Sequence, residues 1–164
     1  MTYPKFTEKI PFFLEKPSLE FVELEPFAPV YVKGYQVLPL PVHHTIYAVG
    51  YEITSKDGKK AFYSGDTGSG LSALWEHISP HLIILDVTFP NRLEQRAINS
   101  AHLNPKMLKK ELKDFYRIKG YFPKITLIHL SPRYEKEIRE EIKKIAEELK
   151  VSIDIAKEGK EIII

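Results

Sequence analysis

The sequence predicts an α/β (α+β) fold in which a mixed β-sheet is covered by helices on one face. Two observations support this prediction. The middle of the chain contains strand patterns joined by a tight turn, and the second half alternates strands with amphipathic helices. Hairpin strands followed by strand–helix units are typical of a sheet that has both antiparallel and parallel pairs.

The predicted strands begin after a proline-rich segment. Five prolines interrupt residues 1–34, so this segment is expected to be an irregular lead-in with one short strand near Leu19–Leu24. An Asp-Gly pair within Ser55–Lys60 predicts a tight hairpin turn. The strand patterns around that turn are Tyr35–Val42, Tyr47–Thr54 and Ala61–Ser64.

Helices and strands alternate in the second half of the chain. Asn104 is a good N-cap residue and Pro105 suits the first helical position, so a helix is expected from Asn104 to Lys119. A second helix is predicted at Pro132–Lys150, because its isoleucines fall in one stripe. His81–Val87 is a short apolar run that predicts a buried strand. The remaining predicted elements are a short helix at Leu71–Ile78 and strands at Lys124–Leu130, Val151–Ala156 and Lys160–Ile164.

The composition limits the classes of function. With 43% hydrophobic residues in 164, the chain is expected to be one globular domain, residues 35–164, preceded by the lead-in. The chain has no Cys, which excludes disulfides, thiol catalysis and Cys-ligated zinc. No apolar run approaches the ~20 residues of a membrane span, and no signal-peptide pattern is present, so a cytoplasmic location without a membrane role is expected. The net charge of +2 does not favour nucleic-acid binding, and the many Lys and Glu residues predict a thermophilic source.

Ionisable side chains occur where predicted strands give way to loops. Each of them alone is an ordinary loop residue, but the strands of one sheet bring such ends together. Neutral imidazole and carboxylate are the ligands that Zn, Mn and Fe require, so the set predicts a divalent metal site. The residues are His43 or His44, Asp66 in GDTG, Asp86, His102 and His129.

The same segments resemble, in order and spacing, the motifs of metallo-β-lactamase-fold phosphodiesterases. They are PVHHTIYAVGYEI, FYSGDTG, LIILDVTFPN, SAHLNPKMLKKEL and LIHLSPRY. FPN, SAHLNP and KEL are similar to the class II cyclic-nucleotide phosphodiesterase branch, whereas HLSPRY is similar to tRNase Z, an RNA 3′-end-processing endonuclease. The resemblance covers residues 35–164 and implies the C-terminal half of a four-layer αββα sandwich.

The resemblance implies metal ligands and substrate contacts. His44 would ligate one metal, with His43 as the alternative one position earlier. Asp66 would bridge two metals and His129 would ligate the second. The implied cofactors are therefore two divalent ions, Zn, Mn or Fe, in a complete site. Ser131 and Arg133 would contact phosphate, although both are equally compatible with structural roles.

The resemblance also implies a catalytic pair. His102 matches the histidine that protonates the leaving oxygen or contacts the scissile phosphate. In the RNase-like branch a Glu orients that histidine, and here Asp86 takes its place with one methylene less reach. Whether Asp86 still contacts His102 is open at the level of the sequence.

One family element is absent from the sequence. No segment contains His-x-His-x-Asp-His, which supplies most of both metal sites in the family. The chain is therefore expected to be the C-terminal portion of a hydrolase of cyclic nucleotides or related small phosphodiesters, with an incomplete metal site. Its inner sheet face is expected to be covered by an N-terminal half or by self-association. The alternatives are a catalytically inactive half-domain acting as a binding or assembly module, and a tRNase Z-like endonuclease.

Overall fold

The computed structural model describes residues 22–164, which form one seven-stranded sheet and four α-helices. The strands are β1 (Val30–Val32), β2 (Tyr35–Val42), β3 (Ala48–Thr54), β4 (Lys60–Tyr63), β5 (Leu82–Asp86), β6 (Lys124–Ile128) and β7 (Ile153–Ile155). The helices are α1 (Ser72–Trp75), α2 (Glu94–Asn99), α3 (Pro105–Lys119) and α4 (Glu135–Leu149), and a 3-10 turn at Asn91–Leu93 precedes α2.

The sheet is mixed, and its strands lie side by side in chain order. Strands β1 to β4 form an antiparallel meander, in which β2 and β3 pair from Gln36↔Thr54 to Val42↔Ala48. Strands β4 to β7 pair in parallel, and the connections between them contain helices. Parallel neighbours need such long crossovers, whereas antiparallel ones need only a tight turn.

One apolar core joins the helices to one face of the sheet. Trp75 is fully buried in it, and its ring meets those of Phe62 on β4 and Phe115 on α3 edge-on, at 5.7 and 5.2 Å between centroids. The central strands contribute alternate residues to this face, as the pleat of a strand requires. The other fully buried members include Ile83, Leu85, Leu127, Leu108, Leu112 and Ile138.

The opposite face of the sheet is apolar and partly open. Tyr51 pairs with Tyr63, which pairs with Ile84, so these side chains alternate with the buried ones and point away from the helices. Ile53 and Tyr63 are 37% and 41% exposed on this face. Among the described residues no helix covers these four side chains, which agrees with helices on one face only.

Several predicted elements are confirmed and three differ. Strand β2 has the predicted bounds, and α3 begins at Pro105 as expected. Lys160–Ile164 is not a strand. The strand expected near Leu19–Leu24 lies partly outside the described residues and is absent from residues 22–24, while β1 forms instead at Val30–Val32. The 3-10 turn and α2 occupy Asn91–Asn99, for which no element was predicted because the segment is too short for a clear period.

Four strands end at the same edge of the sheet, where the loops that follow them begin. Strands β4, β5 and β6 are parallel, so their carboxyl ends share an edge. Strand β2 runs antiparallel to β3, which runs antiparallel to β4, so β2 ends at that edge as well. The predicted functional side chains lie at these strand ends or in the connections that follow them. In the described part of the chain, no helix is both long and apolar enough to cross a bilayer.

The start of α3 provides a test of local stability. The Oδ1 atom of Asn104, a buried residue, accepts the Met107 N–H at 2.8 Å, which is an N-cap bond. We expect Asn104→Ala to lower the free energy of unfolding by about 1 kcal/mol. Asn104→Ser keeps an acceptor at the cap and should retain most of that stability. Urea denaturation measures both, and an equal loss in the two variants would show that the cap bond is not the cause.

Candidate metal centre

Three side chains converge at the sheet edge that collects the strand ends. His44 follows β2, Asp66 follows β4, and His102 lies in the loop before α3. One donor atom from each lies within 4.8 Å of the others. All three residues are partly buried, so the cluster remains accessible from solvent.

His129 borders this triad on the β6 side. Its Nδ1 lies 3.3 Å from Asp66 Oδ1, and its ring stacks on that of His102 at 5.2 Å between centroids, with the planes 13° apart. The backbone of His129 has φ +62°, a conformation that residues with a Cβ rarely adopt. Such strain is characteristic of functional sites, where the surrounding structure imposes an unusual geometry.

Asp86 is the buried partner of His102. Its Oδ2 lies 2.5 Å from His102 Nδ1, so the shorter carboxylate does reach the histidine. The same oxygen accepts the Thr67 N–H at 3.2 Å, and Oδ1 accepts the Thr88 hydroxyl at 2.8 Å. Burial raises the pKa of the Asp86 carboxyl, whereas the hydrogen bonds from His102 and Thr88 oppose this rise.

Thr88 is a site residue that the sequence reasoning did not identify. Its hydroxyl can donate to Asp86 Oδ1 or to the His129 carbonyl, which is 3.0 Å away, and it lies 3.4 Å from His102 Nδ1. Thr88 therefore joins the β5 and β6 ends of the site. The only sequence signal for it is its position two residues after Asp86, which places both side chains on the same side of an extended chain.

The backbone around His102 is held closely by its neighbours. Ala101 has φ +50°, and its carbonyl lies 3.2 Å from His44 Nδ1. Gly68 packs against Ala101 so tightly that a Cβ on Gly68 would lie 3.2 Å from Ala101 Cα, which favours glycine at this position. These contacts bring the loops of His44, Asp66 and His102 together.

The donor set fits a divalent transition metal. A carbonyl only accepts, so the contact with Ala101 places the proton of a neutral His44 ring on Nδ1 and leaves Nε2 as the ligand atom. His102 Nδ1 faces Asp86, so Nε2 is the ring atom left for a metal or for a substrate. Imidazole nitrogen together with carboxylate oxygen is the chemistry of Zn, Mn and Fe sites.

The structure separates the two histidines that the sequence left as alternatives. His43 is exposed and contributes its carbonyl, which accepts the Gly68 N–H at 2.7 Å. It is His44 whose ring joins the cluster, where it meets the His102 ring edge-on at 5.2 Å.

Ser131 and Arg133 lie beside the cluster rather than within it. The Ser131 N–H donates to the Thr88 carbonyl at 3.2 Å, so this loop is tied to the β5 end. The Arg133 guanidinium lies 5.5 Å from the centroid of the Tyr134 ring, and Arg92 lies 5.2 Å from the same ring. Arg133 also borders a polar groove of about 450 Å³.

Solved structures show what this chain is similar to. The metallo-β-lactamase fold protein YhfI from Bacillus subtilis matches with a TM-score of 0.68 and 19% identity, over 85% of this chain and 54% of that one. The isothiocyanate hydrolase from Delia radicum gut bacteria matches with a TM-score of 0.61 and 16% identity, over 84% and 57%. The short form of human tRNase Z, ELAC1, matches with a TM-score of 0.54 and 18% identity, over 78% and 42%.

These likenesses confirm the metallo-β-lactamase fold. No protein-family model matches the sequence, and no curated protein matches it either. The chain spans about half the length of the solved structures that it matches.

Metal binding can distinguish the ligands from their neighbours. We expect His44→Ala and Asp66→Ala each to weaken Mn²⁺ binding at least about tenfold, since even loss of an outer-shell partner has that effect. His43→Ala is the matched control and should bind as the unaltered chain does, because His43 lies outside the triad. Titration calorimetry measures these affinities. If His43→Ala weakened binding and His44→Ala did not, the assignment would be reversed.

Proposed function

We propose that this chain is the C-terminal portion of a metal-dependent hydrolase that cleaves a phosphodiester, either a cyclic nucleotide or a related small molecule. The observation that supports this most directly is the cluster of His44, Asp66 and His102, with buried Asp86 behind His102. His44 and Asp66 offer metal ligands beside the Asp86–His102 pair, and metal ligands next to a proton donor suit assisted hydrolysis.

The proposed cofactors are two divalent ions, Zn, Mn or Fe, in the complete site. His44 would ligate one, His129 the other, and Asp66 would lie between them, which agrees with the 3.3 Å contact between Asp66 and His129. Such an ion supplies a Lewis acid that activates water at neutral pH. A catalytic zinc takes about three protein ligands, so these three residues would leave both coordination shells incomplete.

His102 is proposed to donate a proton to the leaving oxygen. Asp86 holds Nδ1 of this ring, so the ring would act as the acid in its doubly protonated form, in which Nε2 carries the proton that passes to the leaving oxygen. Thr88 and the Thr67 N–H hold the carboxylate in turn. The pair therefore needs little reorganisation when a proton moves from His102 to the leaving group.

Ser131 and Arg133 are proposed to contact the phosphate. They follow His129 on the same loop, and the Arg133 guanidinium lies on the Tyr134 ring. In the described residues Arg133 has no carboxylate partner, so its charge is available to an anionic substrate. A planar guanidinium can bind two oxygens of one phosphate.

The partly open sheet face is proposed to be covered by a second αβ layer. The face carries Tyr51, Ile53, Tyr63 and Ile84, and contiguous apolar surfaces of this kind usually mark interfaces. The chain aligns with only about half of each solved structure reported above, which supports a further half of the fold as the cover, and the sequence resemblance makes that half N-terminal. A second copy of the chain is the alternative occupant.

The role of His102 has a kinetic test. In the complete assembly that contains this chain, with Mn²⁺ present, we expect His102→Ala to lower kcat for bis-p-nitrophenyl phosphate by about 10²–10⁴-fold, the usual contribution of a general acid. His77→Ala is the control, because His77 is exposed and packs on Phe27 away from the cluster. An unchanged rate in His102→Ala would refute its role, and a complete assembly without hydrolysis would favour the non-catalytic binding or assembly module.

The uncovered face has a separate test. We expect the 164-residue chain alone to bind a hydrophobic dye or to self-associate, and we expect Ile53→Lys with Tyr63→Lys to reduce both. Tyr116→Lys, on the exposed side of α3, is the matched control and should change neither. Light scattering gives the mass in solution. A monodisperse monomer that binds no dye would contradict the proposal.

A further inference from the structure

Glu111 is a buried carboxylate that none of the proposed catalytic steps uses. It lies on the second turn of α3 and is only 2% exposed. Its Oε1 accepts the Gly70 N–H at 2.8 Å, across 41 positions of the chain. Its Oε2 is buried and makes no well-formed hydrogen bond among the described residues, and the Leu71 N–H is the other backbone donor close to the carboxyl group.

A buried carboxylate in this position is costly to global stability. Burial raises the pKa of the Glu111 carboxyl, and the hydrogen bond from Gly70 only partly opposes this rise. Burying a carboxylate without full compensation costs several kcal/mol, and an apolar residue of similar volume is often at least as stable. The contact that Glu111 makes is therefore the feature that needs an explanation.

That contact holds the end of the loop that carries Asp66. The loop runs from Gly65 to Gly70 between β4 and α1, and Gly70 has φ +113°, where a side chain would be strained. Its other anchors are the Thr67 N–H on Asp86 and the Gly68 N–H on the His43 carbonyl. Both of these lie within the site, so Glu111 is the anchor that comes from the helical layer.

The helix that carries Glu111 also fixes His102. Helix α3 begins at Pro105, three residues after His102, and Asn104 caps it. The bond from Gly70 to Glu111 therefore connects the Asp66 loop to the element that begins beside His102.

We propose that Glu111 is a positioning residue that holds the Asp66 loop on α3 and thereby sets where Asp66 lies relative to His102. This inference rests on the proposed function, because it concerns the same metal-binding cluster. Glu111 acts through the Gly70 backbone and touches neither a metal nor a substrate.

Two substitutions at Glu111 separate the hydrogen bond from the packing. Glu111→Gln keeps an acceptor oxygen for the Gly70 N–H, whereas Glu111→Leu fills similar space without one. We expect Glu111→Leu to weaken Mn²⁺ binding about tenfold and Glu111→Gln to remain within about twofold of the unaltered chain, in the range seen for outer-shell partners. We also expect faster hydrogen exchange at Gly70 in the Leu variant only.

Glu52 provides a matched control. It is 3% exposed on β3 and accepts the Ser79 N–H and the Lys60 ammonium, both at 3.1 Å. These partners lie where β4 and β5 begin, at the edge opposite the cluster. Glu52→Leu should therefore lower the unfolding free energy in urea without changing Mn²⁺ affinity.

The outcomes distinguish this inference from the proposed function. Metal-free NMR spectra report the ring signals of His102 and His129, which should shift in Glu111→Leu and not in Glu111→Gln. Unchanged ring signals and unchanged Gly70 exchange in Glu111→Leu would overturn the inference, whether or not the complete assembly hydrolyses a phosphodiester. An equal loss of Mn²⁺ affinity in Glu52→Leu would overturn it too, because the effect would then be global.

Discussion

The arrangement of the candidate site depends on one buried carboxylate, Asp86, at the end of a central strand. A buried charge must be paired or hydrogen-bonded, and Asp86 is held by the His102 ring, the Thr88 hydroxyl and the Thr67 N–H. These three groups come from three different loops, so satisfying a single side chain brings the loops together. His102 is thereby held close to His44 and Asp66, and Thr67 places the loop of Asp66 beside it.

The sheet makes this convergence possible. Parallel pairing of β4, β5 and β6 brings their carboxyl ends to one edge, and the antiparallel meander returns β2 to the same edge. The loops after these strands then place histidine and carboxylate donor atoms within 4.8 Å of one another. The apolar core packs beneath the strand ends. Helix α3 supports the site in two ways. Asn104 caps its first turn next to His102, and the buried carboxylate of Glu111 accepts a hydrogen bond from Gly70 at the end of the Asp66 loop.

Much of the fold is predictable from local patterns, because those patterns reflect local physics. The N-cap at Asn104, the apolar stripes of α3 and α4, and the bounds of β2 follow from periodicity and capping. No helix was predicted at Asn91–Asn99, because the segment is too short to show a helical period of apolar residues. Lys160–Ile164 has the composition of a strand but does not form one, since β propensity becomes a strand only where a partner is available.

The sequence by itself determined the residue types of the site, their order after successive strands and the resemblance to metallo-β-lactamase-fold proteins. Only the tertiary structure decided that His44 rather than His43 joins the cluster, that Asp86 reaches His102, and that Thr88 and Glu111 support the site. The physical reason is that strand alternation and capping act over a few residues. Hydrogen bonds between loops join residues up to 57 positions apart, and their partners are set by how the sheet and helices pack.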